Sequence, residues 1–457
     1  LVARSEGKFT YFPDVDLFND LMAAAGDLGD DAFEDRARSF HQRRKGVAGL
    51  DEILDGLASK GFDAFREKVE RASAGVVFTA HPTFALGAAK RDLIARFPKG
   101  SGAALKDWRE ELAGLSGAAK DDITLRYEHE EARKAIAHAQ DALRALNKAM
   151  LKKARHVFPH EWIKLRPNPV SIASWVGYDL DGRSDIHWGE TIRIRISEKA
   201  AQLRYYETAL EKLARSTGDE ELSAMRETFG AAAALAEEQA EAFSGDLDDP
   251  AVVTSAANLL TGDKPGRLVS LAPFIDRLEE KIAAADDPDS KASLILLRAE
   301  MEACGLGLAR IHLRVNAAQV RSALRADLGL DPDTGFLGRS ALDIAARKST
   351  EVKKRAVNFG SVFLEKMTAR RQFMLCAEVL KHIDADAPIR FLIAECEAPA
   401  TVMGAIYLAR LYGVENKLDI SPLFETPEAL ESGGRFLERL LREPEYRDYV
   451  SARGRTT

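Results

Sequence analysis

A histidine closing an apolar, strand-forming run can be aimed at a reacting group, and His81 does so in residues 75–83, "GVVFTAHPT". Pro82 disfavours the α region for His81, so the backbone there is held extended. An ordinary imidazole titrates near neutral pH, which suits it to move a proton or to hydrogen-bond an anion. The alternative is a buried histidine that merely satisfies the next loop. A second constellation is "SWVGYDLDGRSD", where Gly177, Asp179, Asp181, Gly182 and Arg183 share one turn. It reads equally as an Asp-Gly turn with solvated charges; a calcium loop is excluded, because no Glu stands at its twelfth position. Arg314 ends a third run, "ARIHLRVNA", where a guanidinium could clamp a carboxylate or phosphate bidentately or make a surface ion pair. Glu425 follows "PLF" and precedes Thr426 and Pro427. One carboxylate is compatible with Mg²⁺, which keeps several waters and often takes one or two protein carboxylates plus substrate oxygens; helix capping and solvation are the alternatives.

These residues sit at the ends of short segments that interrupt a helical pattern. Strands are expected near residues 75–83, 169–178, 308–316, 390–398 and 418–426, each apolar, rich in β-branched or aromatic residues, and closing on polar ones. Between them apolar residues recur at helical spacing. In residues 121–158, Ile136, Ala139, Leu143, Leu146 and Met150 form a narrow seam for packing against another helix. His129 and His138 on that helix are nine apart and cannot share a metal, and Pro159 should break the helical register between His156 and His160. The expected fold is mainly α, a helix-rich elaboration of a β/α (TIM-type) barrel with about five of eight parallel strands present. Residues 1–74 read as an N-terminal helical region and 75–457 as an incomplete barrel with large helical insertions.

Composition bounds the function. At 457 residues the chain exceeds the ~250–300 at which single cores stop growing, so two domains or one many-layered domain are expected. With net charge −7 and no basic block or interleaved aromatics, nucleic acid has no evident footprint. No apolar run reaches the ~18 residues of a membrane span, so no membrane is expected as a partner and a soluble, cytoplasmic protein is. Cys304, Cys376 and Cys396 are too scattered for a disulfide scaffold or a CxxC site and read as small buried hydrophobes.

Together and in order, these segments resemble the phosphoenolpyruvate carboxylase family. "FTAHPT" looks like that family's TAHPT signature, "SWVGYDLDG" like its SWMGGDRDG segment, "PLFET" like its LFET strand end, and "LLREPEYRDYV" like the helix that follows. The resemblance runs from about Gly75 to the last residue. It implies a lyase that joins bicarbonate to phosphoenolpyruvate through carboxyphosphate and an enolate, giving oxaloacetate and phosphate, with Mg²⁺ or Mn²⁺ required and a homotetrameric assembly. By the same resemblance His81 would stabilise carboxyphosphate and handle a proton as CO₂ is released. Glu425 would be one of two metal carboxylates, and Arg314 a strand-end arginine near the substrate.

Where the family pattern has Gly-Asp-Arg-Asp-Gly, this chain has Tyr178-Asp179-Leu180-Asp181-Gly182, so an arginine that meets the anionic substrate is a leucine. Arg183, in the same turn, is the candidate to supply that charge from a shifted position, beside Asp179. Phe84 replaces a residue that is usually acidic, and Glu395 and Glu397 add negative charge at a strand end. If they face the site, they would repel an anion or recruit a cation. The family's second metal carboxylate and its glycine- and arginine-rich phosphate loop would lie beyond Thr457, so the expectation is an enzyme acting as part of a longer chain, inactive as this fragment alone. The alternative is an altered or inactive relative that binds metabolites or serves as a scaffold.

Overall fold

The computed structural model describes residues 49–79, 89, 93, 96, 103–115, 123–183, 185–333 and 335–454. The chain divides into two compact units, residues 1–65 with 80–124, and residues 66–79 with 125–457. In the first, α1 (Leu50–Ala58) buries Leu54 and Ala58 four positions apart. The division falls within α2 (Phe62–Glu70). Helix α3 (Ala103–Gly114) buries Leu105, Trp108 and Leu112, and the Trp108 indole donates to the Leu93 carbonyl at 2.8 Å.

The second unit begins with β1 (Ala74–Phe78), α4 (Leu125–Val157), β2 (Val170–Ser174), α5 (Trp188–Thr217) and α6 (Glu220–Ala242). It continues through α7 (Pro250–Thr261), α8 (Ala272–Ala284), α9 (Pro288–Cys304), β3 (Arg310–Asn316), α10 (Ala317–Leu328), α11 (Arg339–Glu351) and α12 (Phe359–Leu364). Then come α13 (Thr368–His382), β4 (Ile389–Ala394), α14 (Pro399–Leu411), β5 (Leu418–Pro422), α15 (Pro427–Arg442) and α16 (Pro444–Ala452). This second unit is thus a helix-rich α/β structure around one parallel sheet of five strands in the order β1-β2-β3-β4-β5. All five expected strands exist. Strands β2, β4 and β5 end earlier than the apolar runs suggested, at Ser174, Ala394 and Pro422, because the polar residues that close these three runs belong to the loops after them, whereas β1 ends at Phe78 and the close of its run lies outside the described residues.

Strand β3 shows the two-residue period that places the site. Ile311, Leu313 and Val315 are buried, whereas Arg310, His312, Arg314 and Asn316 are partly exposed on the other face. The apolar face is covered by helices. Ile136 packs with Ile172, Leu308 and Ala309, and Phe78, Ala139 and Leu143 join the cluster. The seam on α4 therefore meets strand residues as well as other helices, since β1 and β2 offer it an apolar surface. That helix ends at Val157, two residues before Pro159, which keeps His156 and His160 out of a shared helical turn.

Beneath the sheet lies a buried ionic cluster. Arg195 is fully buried; it donates to Asp384 at 2.7 Å, to Glu198 at 3.3 Å and to the Ala309 carbonyl at 3.3 Å. The Tyr178 hydroxyl donates to Glu198 at 2.9 Å, and His129 Nε2 lies 3.6 Å from the other Glu198 oxygen. Burial pushes the Glu198 carboxyl up, but His129, Arg195 and Tyr178 outweigh it and hold it below the ordinary value. Lys199 donates to the Ile383 carbonyl at 2.9 Å, and burial lowers its pKa to about 8. The three cysteines are buried and free, and burial raises each thiol to about 12.

The outer edge of β5 is capped from within. The Tyr449 hydroxyl accepts from the Ile420 N–H at 2.9 Å and donates to the Leu418 carbonyl at 2.6 Å. An edge left bare after the fifth strand would invite pairing with another chain; here one side chain satisfies two of its backbone groups.

Candidate active site at the strand ends

Arg314 is the centre of the described site. Its Nε and Nη2 donate to the two oxygens of Asp179 at 2.9 and 3.0 Å, a bidentate pair. Nη1 reaches Glu425 Oε1 at 3.4 Å, Nη2 lies 3.6 Å from Asp181, and the guanidinium sits 4.8 Å from the centroid of the Trp175 ring. Burial lowers the pKa of Arg314, but the Asp179 pair and the charges of Asp181 and Glu425 raise it by more.

The backbone explains the meeting. After β2 the chain makes a turn at Val176–Tyr178 and returns to pair with β3, Leu180 N–H donating to the Arg314 carbonyl at 2.9 Å and Arg314 N–H to the Tyr178 carbonyl at 3.0 Å. Gly177 is required in that turn, because its φ is +84° and a Cβ there would collide with Ile194. Asp181 N–H donates to Asp179 Oδ1 at 3.2 Å, which helps to orient the carboxylate that Arg314 grips.

The fourth and fifth strands add their ends. Asn316 donates from Nδ2 to Glu395 at 2.8 Å and to Asp181 at 3.3 Å, while its Oδ1 accepts from Ala318 N–H at 2.8 Å and caps α10. Glu395 has a φ of 51°, the left-handed region that a residue with a side chain seldom adopts. Its N–H donates to Glu425 Oε2 at 3.3 Å. Strain of this kind persists only where neighbours over-determine it, and it concentrates at functional sites. Glu397 accepts from the Thr426 hydroxyl at 2.7 Å, the residue that caps α15.

Asp179, Arg314 and Glu425, three of the residues singled out in the sequence, thus converge at the ends of β2, β3 and β5. Arg183 turns elsewhere. It holds the buried Glu128 at 3.2 Å and Asp185 at 2.6 and 2.7 Å, which raise its pKa above the ordinary arginine value. Leu180, at the position of the family's arginine, is buried. His81 and Phe84 lie outside the described residues. Glu395 does face the Arg314 cluster, through Asn316 and Glu425. Sequence reasoning missed Asn316 and His312; both share the face of Arg314 at a two-residue spacing, and that period was available to find them. It also missed Trp175, whose indole N–H donates to His312 Nδ1 at 3.2 Å, a cross-strand contact for which the sequence holds no signal.

Asp179, Asp181 and Glu425 surround one guanidinium, with Glu395 held beside them through Asn316, an arrangement that binds an anion only if a cation joins it or a carboxylate gives way. Among the described residues, no group of three or more His, Cys, Asp or Glu side chains is arranged to hold a metal ion. A metal ion at Glu425 would therefore have to take its remaining ligands from water, substrate or groups outside the described residues. Among the described residues, no helix is long and apolar enough to cross a membrane.

Residues 290–457, which carry β3 to β5 and Arg314 and Glu425, match the family model named phosphoenolpyruvate carboxylase. Over these residues the chain is similar to that family. It is similar to the phosphoenolpyruvate carboxylase of Alcanivorax borkumensis, 26% identical over 92% of this chain and 51% of the relative. It is also similar to those of Xanthomonas euvesicatoria pv. vesicatoria, 24% identical over 89% and 49%, and Pseudomonas entomophila, 25% identical over 87% and 48%. The chain spans about half the length of the curated relatives it matches.

Proposed function

We propose that the chain carries part of the site of a phosphoenolpyruvate carboxylase-type lyase, joining bicarbonate to phosphoenolpyruvate to give oxaloacetate and phosphate through carboxyphosphate and an enolate. The observation that supports it most is the convergence of Arg314 with Asp179 and Glu425, residues 135 and 111 positions away in sequence, at the ends of three parallel strands. Five parallel strands in sequential order suit consecutive strands of a β/α barrel, whose active site lies at the strand C-termini. On this reading Arg314 exchanges a carboxylate for the substrate's anionic group, and Asp179 holds the guanidinium in its plane until then. His81, from the TAHPT-like segment, stabilises carboxyphosphate and manages the proton, and Glu425 helps to hold Mg²⁺ or Mn²⁺. That cation supplies Lewis-acid neutralisation of phosphate and enolate charge. Further ligands and phosphate-binding groups come from outside the five strands, and the working protein is a cytoplasmic homo-oligomer, a tetramer as the resemblance implies. Arg183 would contribute only by releasing Glu128.

A second reading is favoured by two observations: Leu180 is buried where an arginine would meet the substrate, and Tyr449 occupies the edge of β5 that a sixth strand would need. On it the chain is a non-catalytic relative that binds metabolites or serves as a scaffold.

The test is a coupled assay of bicarbonate-dependent oxaloacetate formation by the native gene product, wild type against His81→Asn and Arg314→Met. The lyase reading requires activity that both substitutions reduce by two orders of magnitude or more. Equal rates would remove the roles given to His81 and Arg314, and no activity in the wild type would leave the second reading standing.

A further inference from the structure

A cavity of about 380 Å³ lies in the helical layer, walled by α7, by α12 with its cap, and by α13. None of the strand-end residues lines it. Its floor holds Glu378, 1% exposed, whose Oε2 has no hydrogen-bond partner. A buried carboxylate oxygen without a donor is costly, and in a folded protein it asks for an explanation. His382, one helical turn further along α13, presents Nε2 at 3.7 Å, beyond hydrogen-bonding reach, while its Nδ1 lies 3.3 Å from Arg267 Nη2. The imidazole is thus turned so that its other nitrogen faces the carboxyl without satisfying it. The lining also includes Val253, Ala257, Phe359 and Phe363, with Thr254, Asn258 and Lys381 exposed.

We propose that this cavity is a second binding site, which takes a small primary amine as its ammonium ion, the N–H of the ligand donating to Glu378 Oε2 and its apolar body lying against Phe359 and Phe363. An ammonium supplies the donor that Glu378 lacks, as a charge-assisted bond in a setting of low polarity. Two phenylalanines in the same lining favour a cationic head over a neutral one. The charges facing Glu378 are Lys381, exposed at the rim, and Arg267, which addresses the far nitrogen of His382; α7 and α12 add no charged lining residue. Glu378, raised to about 7 by burial and eased down by Lys381, is ionised above that pH, where an alkylammonium still carries its proton. The proposal does not depend on the carboxylase reading.

The experiment is calorimetric titration of the purified chain with n-butylammonium chloride at pH 8, against potassium chloride at equal ionic strength, with n-butanol and butyrate as the neutral and anionic counterparts. We expect saturable binding of one n-butylammonium per chain, and weakening by about tenfold or more in Glu378→Gln. Thr254→Trp, which adds bulk to the lining from an exposed position on α7, should abolish it. No saturable binding, equal binding to Glu378→Gln, or binding of n-butanol or butyrate as tight as that of n-butylammonium would overturn the proposal. Oxaloacetate formation plays no part in any of these outcomes.

Discussion

Arg314 grips both oxygens of Asp179, at 2.9 and 3.0 Å, across 135 positions of sequence. The pair ties the turn after β2 to the end of β3 and commits the guanidinium to a carboxylate in the absence of substrate. Asp179→Asn keeps the shape and removes the competing charge, so inorganic phosphate, read by calorimetric titration, should bind several-fold more tightly than to wild type. Arg314→Met should lose that binding and cost about 1–3 kcal/mol of stability in urea, because the partly buried Asp179 loses its counter-ion. Weaker phosphate binding in Asp179→Asn would mean that Asp179 does not compete for the guanidinium.

The buried cluster beneath the sheet makes Gly307 a sensitive position. A Cβ there would meet the Arg195 guanidinium, which is fully buried and pinned by Asp384 and Glu198. Gly307→Ala should therefore destabilise by about 3 kcal/mol or more, the cost of breaking a buried ion pair, measured by urea unfolding. A loss under about 1 kcal/mol would show that the cluster can shift at little cost.

Burial holds the Glu378 carboxyl at about 7 against an ordinary value of 4.5. The folded chain keeps a proton there that the unfolded chain releases, so this group removes stability as pH rises from about 4.5 to 7, by roughly 3 kcal/mol at most. Glu378→Gln has no such loss. Its stability relative to wild type should grow between pH 5 and pH 7 and then level off; a flat difference across that window would refute the raised value.

Burial, with Arg390 and Arg310 nearby, lowers His312 to about 4, and the Trp175 indole donates to its Nδ1. The folded chain binds fewer protons there than the unfolded one, so the stability from this group is present above about 6.5 and lost as pH falls toward 4. The His312 ring signals should titrate near pH 4 by NMR, with Trp175 fluorescence changing at the same midpoint. A midpoint near 6.5 would place His312 in water.

How the strands began was legible because β-branched runs bounded by turn residues have few other uses, and how they ended was not. Residues such as Asp179 and Glu425 lie at the close of apolar runs in the sequence and in loops in the structure, since strand length is set by how far a neighbour's hydrogen bonds extend. Of the seam on α4, Ile136 and Met150 are buried and Ala139, Leu143 and Leu146 partly so, and the strands that share in covering it were not foreseen, because an apolar stripe fits a sheet as well as a helix.

The sequence by itself determined which side chains lie on one face of β3, where the helices stop, and the family resemblance, all consequences of local pattern. Only the tertiary structure decided partners: that Arg314 meets Asp179 and Glu425, that Arg183 turns to Glu128, that Glu395 is strained, and that Tyr449 closes the edge of β5. The physical reason is that a charge or hydroxyl pairs with whatever distant strand or helix packing places within about 3 Å of it, a choice that local spacing does not encode.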